Sequence, residues 1–61
     1  MGAGEDLEKA HKTAAPAMGA LVTIIVLRRG LTFERLEWIA DRLESAAAII
    51  RSVLTAYGHK G

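Results

Sequence analysis

The most regular alternation of apolar and polar positions in the chain runs from Leu31 to Gly58. Apolar residues fall at Leu36, Ile39/Ala40, Leu43, Ala46/Ala47, Ile50, Val53/Leu54 and Tyr57, in alternating steps of three and four that trace one face of an α-helix and come close to a seven-residue repeat. Thr32 stands where an N-cap hydroxyl can meet a free backbone N–H, and Leu31 and Leu36 hold the two positions of a hydrophobic staple. Gly58 can take the left-handed conformation that ends a helix. The pattern predicts a helix over 32–57.

Upstream the pattern is less even. Glu5 to Lys12 combines good helix formers with acids in the first turn and Glu5/Lys9 and Glu8/Lys12 pairs, which predicts a short polar helix over 5–13 after a flexible stretch at 1–4. Pro16 interrupts it, because an internal proline loses a hydrogen bond and clashes with the preceding turn. Thr13 is then the N-cap of a fresh helix over 14–29, with a break or kink at 13–16. The β-branched run Val22 to Val26 favours a strand by propensity, but the chain offers no second strand to pair with it, so helix is the better reading. One face runs through Leu7, Ala10, Ala14, Ala17, Leu21 and Ile24, with Met18, Val22 and Ile25 beside it. This apolar surface spreads most of the way round the last turns and implies cover on more than one side. Arg28 and Arg29 suit a helix C-terminus, and Gly30 is a ready cap.

The short link between the arms makes an antiparallel helical hairpin. Folded about residue 31, small residues at 14–17 meet small residues at 45–48, while Leu21, Ile24 and Ile25 meet Trp38, Ile39 and Ala40; Arg28 and Arg29 come near Glu34 as a rim ion pair. One hairpin covers one stripe per helix, so two hairpins packed as a four-helix bundle would bury the remainder. The fold class is therefore all-α: a single helical-hairpin domain over 5–58, with the short N-terminal helix as an extra element, dimerising into a bundle. Residues 59–61, including His59, form a flexible tail. The residues assigned to self-association are Met18, Leu21, Val22, Ile25, Leu36, Ile39, Leu43, Ile50 and Leu54.

Composition fits a helix bundle. Of 61 residues, 51% are hydrophobic, mostly Ala, Ile, Leu and Val, with Phe33, Trp38 and Tyr57 the only aromatics. Cys is absent, which removes disulfides and thiolate metal sites. Eight basic and seven acidic residues nearly cancel, so no strong field draws the chain to nucleic acid or anionic lipid. The acidic N-terminal segment is unlike a signal peptide, and the expected location is the cytoplasm.

Chemistry is sparse. Glu34, Glu37, Asp41 and Glu44 line one side of the second helix. Di-iron bundles use such a row together with a Glu-x-x-His motif that this chain lacks, so the acids read as a solvated face or a partner contact. His11 borders the core and has no metal-ligand spacing around it. Ser45 and Ser52 have no candidate base, and no glycine-rich phosphate loop occurs, so no enzyme activity, metal or cofactor is expected. Trp38 and Arg42, four apart, can stack by cation–π and join the four acids as candidate partner contacts.

The segment Ser45–Tyr57, SAAAIIRSVLTAY, resembles the second helix of ribbon-helix-helix repressors, with Leu21 to Arg29 in the place of their ribbon strand. The resemblance implies a DNA-binding repressor. The glycine-containing loop expected near residue 44 has no counterpart, and the strand segment lacks alternating polar residues for the major groove. A membrane-associated reading rests on the uncharged stretch Thr13 to Leu27, about 22 Å as a helix against a hydrocarbon core near 30 Å, with the helix over 32–57 lying on the surface. The pattern favours a non-catalytic, self-associating interaction module for docking, assembly or scaffolding, whose partners are a second copy and another protein.

Overall fold

The proline does not break the first arm. In the computed structural model, which describes residues 2–58, one helix, α1 (Ala3–Leu27), runs through Pro16, and a second, α2 (Phe33–Gly58), packs back along it. The separate helices expected over 5–13 and 14–29 are thus a single element, and Thr13 lies inside it rather than capping a new start. Pro16 lacks the N–H that would reach the Lys12 carbonyl and crowds the turn before it, at a cost of about 3 kcal/mol, and it sits among alanines, the strongest helix formers. Ala10 and Ala17, on either side of it, are buried against α2, and that packing holds the turns in line. The first helix also starts earlier than the polar segment expected to open it. Helix begins at Ala3, with the Glu5 and Asp6 amides donating to the Gly2 carbonyl at 3.1 and 3.2 Å, and the two acids occupy the first turn, where the helix dipole favours them.

The β-branched run is helical. Thr23 donates its hydroxyl to the Gly19 carbonyl at 3.0 Å, satisfying the side chain within its own helix. No strand occurs among the described residues, so the ribbon that the repressor resemblance requires is missing, and α2 passes residue 44 without a loop.

The turn differs in detail from its prediction. Arg28, not Gly30, takes the left-handed conformation at the end of α1 (φ 57°, ψ 39°), its N–H donating to the Ile24 carbonyl at 2.9 Å. Gly30 follows with φ 85°. Thr32 caps α2 as expected, accepting from the Arg35 amide at 3.1 Å. Arg28 and Arg29 make no ion pair with Glu34 among the described residues; Lys12 pairs with Glu8, its i,i+4 neighbour, at 3.8 Å. Gly58 is the last helical residue of α2, and the tail expected at 59–61, with His59, lies outside the described residues.

The core is narrow and built from small residues. Ala10, Ala17, Ala20, Ile39 and Ala46 are buried, with Leu21, Ile24, Trp38 and Leu43 packed around Ala17, Ala20 and Ile39. Alanines meeting across the interface let the helices approach closely, while Ile39 and its neighbours fill the end nearer the turn.

Candidate interaction surface

Helical positions turn by about 100° per residue, and this rotation separates the apolar residues into two sets. On α1 the line Ala10, Ala17, Leu21 and Ile24 meets α2. Leu7, Met18, Val22 and Ile25 lie roughly a quarter-turn round from it and are exposed, the last three by more than half. On α2 the line Ile39, Ala46 and Val53 meets α1. Leu36, Ala40, Ala47, Ile50 and Leu54 again lie roughly a quarter-turn round, in the same sense, and are exposed. Leu43 is half-buried between the two lines.

The two exposed stripes share one side of the molecule. An antiparallel helix pair has an approximate two-fold axis normal to its plane, which carries one helix onto the other without exchanging sides. Stripes displaced in the same rotational sense therefore form one broad apolar face. The opposite side is mostly polar, carrying Lys9 and Thr23 from α1 and Glu34, Asp41, Ser45 and Ser52 from α2, with Leu27 an exposed apolar residue beside the turn, while Glu37 and Glu44 point away from α1 along the outer edge of α2. As a unit, the hairpin is amphipathic.

The residues singled out for association divide accordingly. Met18, Val22, Ile25, Leu36, Ile50 and Leu54 lie on the open apolar face, Leu21 and Leu43 sit half-buried at its border, and Ile39, 4% exposed, is enclosed within the hairpin. The candidate partner contacts lie elsewhere. Trp38 is half-buried on the polar side of the core, with the Arg42 guanidinium 5.5 Å and the Arg35 guanidinium 5.0 Å from its ring centroid. Arg42 also donates its Nε to the Thr13 carbonyl at 3.0 Å, in the turn of α1 that holds Pro16. The Trp38–Arg42 pair was legible in the i,i+4 spacing. Arg35 stood equally readable three residues before the ring, whereas the Thr13 carbonyl is a backbone group on the other helix that no side-chain pattern announces.

At the end away from the turn the helices enclose an open groove of about 980 Å³, lined by Ala3, Glu5, Asp6, Val53, Ala56 and Tyr57 among others. Among the described residues no group of three His, Asp or Glu side chains converges to hold a metal ion. Compared with known proteins, the chain matches no family model, no curated protein and no solved structure.

Proposed function

We propose that this chain is a non-catalytic interaction module that associates with a second copy of itself through the apolar face shared by α1 and α2, forming a four-helix bundle for docking or assembly. The observation that carries this reading is the surface left uncovered. A folded monomer of 6.5 kDa exposes about 3,800 Å² by the usual size scaling, whereas this hairpin exposes 4892 Å². The excess, about 1,100 Å² on that scaling, is more than the roughly 800 Å² that each partner contributes to a standard interface. The hairpin measures 46 Å by 17 Å along its long face, an outline of about 780 Å² that matches the same requirement. The face is apolar on both helices and the reverse side mostly polar, as one layer of a bundle requires.

Sedimentation at tens of micromolar chain tests the proposal. The expected result is twice the chain mass of 6.5 kDa, and a compact, folded monomer at that concentration overturns it. Met18→Glu or Ile50→Glu, at positions open in the single hairpin, places a carboxylate in the interface and is expected to weaken association at least about tenfold.

One observation favours a second reading. Helix α1 is long and apolar enough to cross a membrane by length and composition, and little of its most apolar stretch is covered within the hairpin. Co-flotation of the chain with phosphatidylcholine vesicles, together with loss of its solution assembly, would support that reading over the bundle.

A further inference from the structure

We infer that the turn end of the hairpin is a docking tip for a membrane surface that carries anionic lipid. Residues 24–36 hold three arginines, Arg28, Arg29 and Arg35, against one acid, Glu34. The near-zero net charge of the chain therefore conceals a local excess of two positive charges, three less one. None of the three arginines forms an ion pair among the described residues. Interspersed with them are Val26, Leu27, Leu31 and Phe33, each more than half exposed, Phe33 by 77%.

The apolar face shared by α1 and α2 does not account for these four side chains. By helical rotation Val26 points away from α2 along the outer edge of α1, and Leu27 falls on the mostly polar side. Leu31 lies in the link, and Phe33 opens α2 at the border of the apolar face. The four surround the end of the hairpin instead of forming one side of it. A second copy laid on the shared face leaves Val26 and Leu27 bare, so the inference stands whether or not the self-association proposed above does.

Shape and charge together select a lipid surface. Seen end-on the hairpin measures 17 Å by 15 Å, an outline of about 255 Å², a third of the roughly 800 Å² that each partner brings to a standard protein interface. A fluid bilayer needs no flat contact of that size, because headgroups and acyl chains close around a convex tip. Leucine and phenylalanine side chains enter the boundary between headgroups and acyl chains. Arginine stems lie along apolar surface while their guanidinium groups stay at the level of the lipid phosphates. Anionic headgroups add attraction for each basic residue held near the surface.

Co-flotation of the full chain with vesicles of equal parts phosphatidylcholine and phosphatidylserine, beside vesicles of phosphatidylcholine alone, tests the tip. Binding to the anionic vesicles is expected to weaken about fivefold for each arginine removed, in Arg28→Gly and in Arg29→Gln. It should be lost in the double variant Leu31→Ser, Phe33→Ser, with helicity kept, since all four positions are exposed. No binding to the anionic vesicles, or equal binding to both compositions, overturns the inference. The chain contains no cysteine, so an environment-sensitive fluorophore on one introduced thiol reports one place. On Leu31→Cys its emission should move to the blue on anionic vesicles, and on Thr55→Cys, at the other end, it should stay as in water. Equal shifts at both ends describe a chain lying flat or spanning, and overturn tip-first docking. Sedimentation without vesicles reads self-association separately: a dimer that binds no vesicles removes the tip alone, and a monomer that binds them tip-first removes the bundle alone.

Discussion

Two arginines occupy positions where their backbone or side-chain chemistry is specific. Arg28 holds a left-handed conformation at the end of α1 that costs an L-residue roughly 1–2 kcal/mol and costs glycine almost nothing. Arg28→Gly is therefore expected to raise the unfolding free energy by roughly 0.5–1 kcal/mol, measured by urea denaturation at fixed chain concentration. Arg42 joins α1 to α2 by donating Nε to the half-buried turn at Thr13 while covering one side of Trp38. Its replacement by Ala is expected to cost about 1–2 kcal/mol, the net value of a hydrogen bond from a charged group plus a cation–π contact. Arg42→Lys keeps the charge but has neither Nε nor a planar face, so it should recover little of that loss. If Lys restores wild-type stability, charge alone matters at this position.

At the scale of the helices, Pro16 is the residue whose local preference was overruled. Its missing N–H and the clash with the preceding turn argue for a break, yet the alanines around it and the burial of Ala10 and Ala17 keep α1 continuous. Pro16→Ala restores the donor to the Lys12 carbonyl and should stabilise the chain by roughly 1–3 kcal/mol, read from the same denaturation curves. The all-helical hairpin itself was legible, because Thr32 marks a start, the three-and-four spacing is sustained and only a tight link separates the arms. The doubled positions Ile39/Ala40, Ala46/Ala47 and Val53/Leu54 carried more than one stripe. The first member of each pair faces α1 and the second faces outward. A one-dimensional pattern records that such a helix is wide-faced, and the packing of α1 decides which edge is covered first. Arg28 was misread for a related reason: Gly30 signals a turn, but where α1 stops within that turn depends on how the link must close.

For the whole molecule, the decisive quantity is the imbalance between a small core and a large apolar surface. Among the described residues, four of the five buried ones are alanine, and the radius of gyration of 14.2 Å exceeds the roughly 10.5 Å of a compact chain this size. Folding and association should therefore be coupled, with the melting temperature rising by roughly 6 °C for each tenfold increase in chain concentration. A melting temperature independent of concentration over two decades would sever that coupling. The groove between Ala3 and Tyr57 has a further consequence, for how the backbone opens. That end of the helix pair is left open by the groove, while Ala17, Ala20 and Ile39 close the interface nearer the turn. Amide hydrogens along Leu7 to Lys9 and Val53 to Ala56 should therefore exchange with solvent deuterium far faster than those of Ala20 to Ile24 and Leu43 to Ala46. Local opening would spread from the two chain ends inward, and a protease acting at those ends would meet unfolded backbone before the turn had come apart.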